Sequence, residues 1–276
     1  LEEICSAPVL LVEDNDINQM IAKEMLQQAG LIVDVARNGE EAVTMVKAKS
    51  YALVFMDIQM PVMDGLTAAE KIRGFFSYQQ LPIIAMTANS SGEDIERSLA
   101  AGMQDHISKP IDEETLLDAL EKWCVRGHYM DNEPASEKHN SPIDTSEQIS
   151  YPNHNGIDFN GALERLGHNL SLYQTLVERL YKDYHQAPQQ VVKFLSKGQH
   201  DQAKRFFHSL KGASANLGLT KLSTVAATLE QSMSSGAVNE VADNITRLDP
   251  LLEQAREAVA DLVLWQQRQQ NSGKQS

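Results

Sequence analysis

The sequence predicts two domains, an open α/β domain followed by an all-helical bundle. Over residues 1–124, short apolar runs alternate with segments of helical period, whereas apolar residues recur only at spacings of three and four after Ile157. Residues 125–155 lie between these parts and contain three prolines, many polar residues and few large apolar ones. We therefore expect domains at 1–124 and 156–268, joined by a flexible linker over 125–155.

Five strand–helix pairs account for the first domain. The first, third and fourth strands are nearly continuous apolar runs, as expected for strands that are buried on both faces of a parallel sheet. Because crossovers between parallel strands are right-handed, the pairs predict a doubly wound, five-stranded parallel sheet with helices on both faces. The predicted strands are Pro8–Asp14, Ile32–Ala36, Leu53–Asp57, Ile83–Thr87 and His106–Ser108, and the predicted helices are Asp16–Ala29, Glu40–Lys49, Gly65–Arg73, Ser91–Ala100 and Glu113–Trp123.

The second domain is predicted to contain four principal helices and a short leading one. Glycine-containing breaks at Gly198, Gly218 and Gly236 separate amphipathic segments, whose apolar stripes can pack together as a four-helix bundle. Residues 269–276 are polar and are predicted to form a disordered tail.

Composition and charge exclude several classes of function. The net charge of −14 argues against a nucleic-acid partner, and no apolar run approaches the roughly 20 residues of a membrane span, so we expect no membrane contact from this segment. The two cysteines, Cys5 and Cys124, are too few for a disulfide framework or a cysteine-based zinc site, and as separate thiols they suit a reducing cytosol. The first residue is Leu1 rather than Met, so we expect a fragment or a processed product.

Polar side chains stand where four of the five predicted strands end. Glu13 and Asp14 end the first strand, Asp57 the third and Thr87 the fourth, and Lys109 follows the fifth. Because ligands bind beyond the carboxyl ends of such strands, these side chains are expected to share one crevice. Three carboxylates repel one another unless a cation neutralises them, and oxygen ligands with room for water favour Mg²⁺.

A carboxylate, a divalent cation, an ammonium group and a hydroxyl are the groups needed to receive a phosphoryl group. Asp57 is the predicted nucleophile because it is placed centrally, Asp14 is a direct metal ligand and Glu13 acts through water. Asp14 and Asp16 could instead cap the first helix. No glycine-rich loop follows the first strand, which disfavours a dinucleotide or P-loop site.

One histidine of the second domain has a distinctive setting. Helical spacing predicts that His208, Lys211 and Gly212 lie on the exposed face, opposite a buried stripe of Phe206, Phe207, Leu210, Ala213, Ser214 and Leu217. A glycine within a helix costs about 1 kcal/mol relative to alanine. It would leave room for the active-site edge of another domain to approach His208, or it could serve close packing between helices. Nearby lysines would favour a phosphoryl group on the imidazole.

The motifs of the first domain resemble the receiver domain of response regulators, in the form found in hybrid sensor histidine kinases. The resemblance covers about residues 6–124 and implies a flavodoxin-like fold. It rests on Val12-Glu13-Asp14-Asn15, on the run from Met56-Asp57-Ile58-Gln59-Met60-Pro61 to Val62-Met63-Asp64-Gly65, on Met86-Thr87-Ala88 and on Ser108-Lys109-Pro110.

This resemblance implies that Asp57 accepts the phosphoryl group. It implies Mg²⁺ (or Mn²⁺) held by Asp14, Asp57 and the backbone carbonyl of Gln59, with Glu13 orienting metal-bound water. Thr87 and Lys109 would contact the phosphoryl oxygens. The sequence departs from the family at His106, where receivers usually have Tyr or Phe, so the usual switching through an aromatic residue is in doubt.

The second domain resembles a histidine phosphotransfer (Hpt) domain over about residues 157–265. The motif runs from His208-Ser209-Leu210-Lys211-Gly212 to Leu217-Gly218. The resemblance implies an antiparallel four-helix bundle with His208 phosphorylated on a ring nitrogen, assisted by Lys211 through charge and by Gly212 through access. Such domains rely on the receiver for catalysis.

Together, the two domains resemble the C-terminal portion of a bacterial hybrid sensor kinase. The implied two-component phosphorelay runs from an upstream histidine kinase domain to Asp57, then to His208, then to an aspartate of a separate response regulator. The chain has no recognisable ATP-binding segment, so the transferase activity of a protein-histidine kinase would need other parts of the protein. The resemblance implies a cytoplasmic segment of a membrane-anchored parent. A scaffold without phosphotransfer, and a phosphatase that passes phosphoryl groups to water, stay open as alternatives, as does transfer between two chains.

Overall fold

The computed structural model describes residues 8–87, 92–125 and 151–272. Its first domain contains one five-stranded, fully parallel sheet in the order β2-β1-β3-β4-β5, which confirms the predicted doubly wound architecture. The prediction for β3 and β4 matches at both ends, and the other strands differ by a few residues. The strands are β1 (Val9–Val12), β2 (Val33–Ala36), β3 (Leu53–Asp57), β4 (Ile83–Thr87) and β5 (Asp105–Ser108).

Each strand of this sheet is followed by a helix, and polar residues cap the helix starts. Asn15 accepts hydrogen bonds from the backbone N–H groups of Ile17 and Asn18, so it is Asn15 that caps α1 rather than Asp14 or Asp16. Asp14 is therefore available for other contacts. The helices are α1 (Asp16–Gln28), α2 (Gly39–Ala48), α3 (Gly65–Arg73), α4 (Gly92–Ala100) and α5 (Glu113–Leu120), the last continuing as a π-helical turn over Glu121–Val125.

The two faces of the sheet bury separate sets of side chains. In β1, Leu10 and Val12 pack on the side of α2 and α3, whereas Val9 and Leu11 pack on the side of α1 and α5. The second of these cores is continuous with the core of the helical domain. The sheet is thus linked to the bundle through the α1 side.

Helices α7, α9, α10 and α12 form the predicted four-helix bundle, with α6 as the short leading helix. Two further helices, α8 and α11, extend the connections between the principal ones. The bounds are α6 (Phe159–Arg165), α7 (Leu170–Tyr184), α8 (Ala187–Ser196), α9 (His200–Asn216), α10 (Thr220–Ser235), α11 (Val238–Ile245) and α12 (Leu248–Ser272). No helix among the described residues is long and apolar enough to cross a membrane.

The ends of the bundle differ from the predicted boundaries. Tyr151 is buried, its ring centroid lies 6.0 Å from that of Trp265, and its backbone N–H donates to Oδ1 of Asn160. The packed structure therefore begins before residue 156. Helix α12 continues to Ser272, so the predicted tail is helical over 269–272. The rest of the predicted linker, 126–150, and of the tail, 273–276, lie outside the described residues.

The expectation of two separate thiols is wrong for Cys124, which is disulfide-bonded in the structure. Cys5 lies outside the described residues.

Helix α1 of the first domain packs against α6, α7 and α9 of the second. Arg179 pairs with Asp16 across this contact, and Nδ2 of Asn216 donates to Oδ1 of Asn18 over 2.9 Å. The guanidinium Nε of Arg165 donates to the carbonyl oxygen of Ile111 over 3.2 Å. These contacts bring the carboxyl edge of the sheet close to α9.

Candidate functional site

Three carboxylates meet at the carboxyl edge of the sheet. Glu13 and Asp14 follow β1 and Asp57 ends β3, so the topology of parallel neighbours places them together. Each of the three offers an oxygen, and these oxygens all lie within 4.8 Å of one another. Glu13 and Asp57 are buried, and Asp14 is half-buried. We call these three residues the acidic cluster.

Lys109, which follows β5, partly compensates the charge of the acidic cluster. Its Nζ lies 2.5 Å from Oε2 of Glu13 and 2.6 Å from Oδ2 of Asp57, and the side chain is buried. Burial alone would lower the pKa of Lys109, but the two carboxylates outweigh burial and raise it. The ammonium group is therefore held in its charged form between two acidic partners.

One ammonium group does not neutralise three carboxylates. Burial raises the pKa of Glu13 to about 7, against the attraction of Lys109 and with a further contribution from the charge of Asp57. Burial and the charge of Asp57 likewise raise the pKa of Asp14 to about 6. An additional cation would relieve this repulsion, and a set of oxygen ligands is what Mg²⁺ prefers. The residues present therefore fit a divalent metal ion.

Thr87 and Gln59 complete the edge. Thr87 ends β4 and is buried, and its hydroxyl has no hydrogen-bond partner among the described residues. An unpaired buried hydroxyl is costly unless a ligand supplies the partner. The backbone N–H of Gln59 donates to Oδ1 of Asp57 over 3.2 Å, which places the backbone after β3 alongside the carboxylate.

Gly65 is a structural requirement of this site. The sequence analysis includes it in a motif but assigns it no role. A Cβ at this position would lie 2.1 Å from the carbonyl oxygen of Asp57, so only glycine lets α3 begin against the end of β3. The signal was present in the sequence as a glycine eight residues after Asp57, but the close approach is evident only from the backbone path.

His208 lies on α9 and is held by a residue of α10. Its Nδ1 lies 2.8 Å from Oε1 of Glu230, whose other oxygen accepts from Nζ of Lys211 over 2.9 Å. Burial would raise the pKa of Glu230, but the hydrogen bonds and charges of His208 and Lys211 outweigh it and lower this pKa to about 2. The ionised carboxylate can only accept, so Nδ1 carries the proton and the lone pair of the neutral ring is on Nε2.

Glu230 was missed by the sequence analysis. It lies 22 positions after His208 on the next principal helix, and its position relative to the imidazole depends on how α9 and α10 pack. The residue is one of many glutamates in the sequence, and no local pattern distinguishes it.

The prediction that His208 is exposed is wrong in this structure. The residue is only 8% exposed. Glu230 contacts it on one side, and α1 of the first domain packs against α9, the helix that carries it. A Cβ on Gly212, one helical turn further on, would lie 3.3 Å from Nδ2 of Asn18. A positive charge on His208 is near enough to lower the pKa of Asp14. The helix face assigned to solvent is thus an interface, at which Gly212 lies beside Asn18 of the first domain.

His106, at the position where receivers usually have an aromatic residue, is on β5 with its side chain about one-third exposed. Its Nδ1 lies 3.9 Å from Oδ1 of Asp105. Asp105 in turn accepts from Lys122 and from the indole of Trp123, so this end of β5 is part of a polar surface.

Comparison with protein families assigns both parts of the chain. Residues 9–121 match the response regulator receiver domain, and residues 163–258 match the Hpt domain. The chain therefore consists of a receiver domain followed by an Hpt domain, and this combination is a segment of a two-component phosphorelay.

The relatives with curated descriptions are histidine kinases. The chain is 29% identical to the signal transduction histidine-protein kinase BarA of Escherichia coli K12, over 91% of this chain and 27% of that protein. It is 38% identical to histidine kinase 5 of Arabidopsis thaliana, over 45% of this chain and 16% of that protein. The chain thus spans about a quarter or less of the length of these relatives. Since they include plant as well as bacterial proteins, the similarity does not establish the expected bacterial origin.

Similar solved structures cover the first domain. One is the receiver domain of the sensor histidine kinase PA1611 from Pseudomonas aeruginosa PAO1, described with a magnesium ion in its active-site cleft. It is 37% identical, covers 43% of this chain and 98% of that chain, and gives a TM-score of 0.41. Another comes from a co-crystal of the yeast phosphotransfer protein Ypd1 with the receiver domain of Ssk1, at 35% identity over 45% of this chain and 93% of that chain, with a TM-score of 0.43.

Proposed function

We propose that this segment accepts a phosphoryl group on Asp57 and passes it to His208. The single observation that carries the proposal is the packing of α1 against α9, the helix that carries His208, beside the acidic cluster. The phosphoryl group would come from a histidine of an upstream kinase domain and would continue to an aspartate of a separate response regulator. Similarity to histidine kinases supports these two partners.

In the first step, an oxygen of Asp57 attacks the phosphorus, and the bond between phosphorus and the donor nitrogen breaks. Lys109 lies against Asp57 and can hold one phosphoryl oxygen, while the hydroxyl of Thr87, which has no partner in the described part of the chain, can donate to another. Mg²⁺ (or Mn²⁺) bound by Asp14, Asp57 and the carbonyl of Gln59, with Glu13 acting through water, would supply positive charge to the phosphoryl oxygens.

In the second step, Nε2 of His208 attacks the phosphorus of phospho-Asp57. The new bond joins nitrogen to phosphorus, the bond between phosphorus and the Asp57 oxygen breaks, and the carboxylate leaves with its electron pair. No proton has to leave Nε2, because Glu230 keeps the ring proton on Nδ1. The positive charge that develops on the imidazole faces the carboxylate of Glu230, which is stabilising.

Lys211 and Gly212 support this step in different ways. Lys211 holds the second oxygen of Glu230 and adds positive charge near the incoming phosphoryl group. Gly212 lets the edge of the receiver domain approach α9.

We further propose that this segment is the cytoplasmic part of a membrane-anchored parent protein, whose kinase domain would supply the transferase activity.

The test is labelling of the chain by acetyl phosphate with Mg²⁺, with phosphorylated residues mapped by mass spectrometry. We expect phosphate on both Asp57 and His208 in the wild type, on Asp57 alone in His208→Gln, and on neither residue in Asp57→Asn. Label on His208 in Asp57→Asn would contradict the internal relay. Label that never leaves Asp57 would mean that these two sites do not exchange, and no label beside an active receiver control would favour a scaffold.

The rate at which phospho-Asp57 loses phosphate to water separates a relay from a phosphatase. We expect hydrolysis in His208→Gln to be slower than transfer to His208 in the wild type. The opposite order would mean that the pair drains phosphoryl groups.

A further inference from the structure

A series of buried hydrogen bonds joins the Hpt domain to the acidic cluster. Nδ2 of Asn216, at the end of α9, donates to Oδ1 of Asn18 over 2.9 Å, and Nδ2 of Asn18 donates to Oε1 of Glu13 over 3.1 Å. Both asparagines are at most 4% exposed. The other carboxylate oxygen of Glu13 accepts from Lys109, which also contacts Asp57. The contact between domains is therefore connected to the phospho-accepting carboxylate.

The two bonds of Asn18 require the same orientation of its carboxamide. Both oxygens of Glu13 already face donors, since Oε2 accepts from Lys109 and Oε1 from the backbone N–H of Asn15. Glu13 therefore receives the NH₂ group of Asn18, and the oxygen of Asn18 is left for a donor. Asn216 supplies that donor. The inverted carboxamide would place oxygen against oxygen at Glu13 and NH₂ against NH₂ at Asn216. Contact with Asn216 therefore favours the orientation of Asn18 that holds Glu13.

Asn216 shares a helix face with the phospho-accepting histidine. His208, Gly212 and Asn216 are spaced by four residues, which places them in one row along α9. Asn216 is about 12 Å from His208 along the helix axis, so it does not touch the reacting atoms. Both residues nevertheless face the receiver domain when α9 packs on α1.

We propose that Asn18 and Asn216 are positioning residues through which docking of the Hpt domain organises the metal site of the receiver domain. The inference rests on the proposed function, since it assigns Glu13 a role toward the metal. With α9 in place, Asn18 is fixed and holds one oxygen of Glu13, while Lys109 holds the other. With α9 absent, the carboxamide of Asn18 loses its outer partner and is free to rotate away from Glu13.

The test is Mg²⁺ binding to the full chain, measured by isothermal titration calorimetry without any phosphoryl donor. We expect Asn216→Leu, which has a similar volume and no donor, to weaken Mg²⁺ binding by about threefold to tenfold, as the loss of one buried hydrogen bond predicts. Asn18→Ala should weaken it similarly, and the double variant should be no weaker than the worse single variant. Unfolding curves of each variant check that the fold is intact.

Arg179→Gln is the matched control, because Arg179 also contacts the receiver domain but does so through a partly exposed ion pair with Asp16. Loss of such a pair has a small effect, so its Mg²⁺ affinity should change less than about twofold. An equal loss in Arg179→Gln and Asn216→Leu would overturn the inference, because docking in general would then be responsible. An unchanged affinity in Asn216→Leu would also overturn it. If the wild type binds no Mg²⁺, the proposed metal site fails as well. If the wild type binds Mg²⁺ and Asn216→Leu binds it equally well, only the present inference fails.

Discussion

The two phosphoryl-accepting sites of the proposed relay are built differently. Around Asp57 are two further carboxylates, a buried lysine and the hydroxyl of Thr87, all placed by strand ends of one sheet. At His208, a glutamate contacts the imidazole and a lysine contacts that glutamate. The receiver domain thus contains groups that can stabilise a moving phosphoryl group, whereas the Hpt domain contributes a correctly oriented nucleophile. Changes near Asp57 should affect both steps, and changes near His208 only the second.

The largest effect should follow from Lys109→Gln. Its ammonium group is the only cation in direct contact with Asp57 among the described residues, and loss of one such group in other enzymes reduces rates by about 100- to 1000-fold. Labelling of Asp57 by acetyl phosphate and transfer to His208 should both slow by this order in rapid-quench experiments. Removal of Mg²⁺ by a chelator should stop labelling in the wild type. Normal transfer in Lys109→Gln would mean that the sites are less different than proposed.

Glu230→Gln should reveal how much the site around His208 contributes to the free energy of unfolding. The pKa of Glu230 lies at about 2, below the ordinary 4.5, so the folded protein binds fewer protons at this group than the unfolded chain. Because Glu230 is only partly buried, solvent screening reduces this contribution to about 1–2 kcal/mol; it is complete above pH 4.5 and is lost as the pH falls toward 2. Urea unfolding at pH 6 and pH 3 should therefore show a difference between wild type and variant that shrinks in acid. A difference that is independent of pH would contradict this assignment.

Gly212→Ala should separate stability from transfer. Alanine stabilises a helix interior by about 1 kcal/mol relative to glycine, so the bundle should unfold at a higher temperature. The added Cβ, however, would lie 3.3 Å from Nδ2 of Asn18, so the Asn18 side chain at the domain contact would have to shift. We expect transfer to His208 to slow by about threefold to tenfold, as a small loss of alignment predicts, while labelling of Asp57 at saturating Mg²⁺ is unchanged. A faster transfer in this variant would show that the contact is not used.

The smallest effect should come from Arg179→Gln. The pair of Arg179 and Asp16 is partly exposed, so its loss should slow transfer less than about threefold, and added salt should reduce the difference further. A series of transfer measurements between low and high ionic strength checks this. A large effect that is insensitive to salt would place Arg179 closer to the reaction than its geometry indicates.

The sequence predicts features that follow from the order of the strands, but not contacts that depend on packing between elements distant in sequence. The meeting of Glu13, Asp57 and Thr87 follows from strand order and direction, which hydrophobic patterns predict without any side-chain detail. The position of Glu230 and the burial of His208 depend on packing between elements that are distant in sequence. Asn18 and Asn216 are 198 residues apart, and helical periodicity in α9 identifies a free face but not the receiver domain that covers it.

Because His208 is buried, phosphoryl transfer to this residue and onward transfer from it have to occur one after the other. One imidazole can face only one receiver domain at a time, and in this structure its own receiver domain occupies that place. A domain tethered in the same chain competes at an effective concentration of about 1 mM, far above that of a scarce signalling protein in solution. Onward transfer in the proposed relay is therefore paced by the departure of the chain's own receiver domain from α9, and adding more of the separate regulator should speed it only weakly.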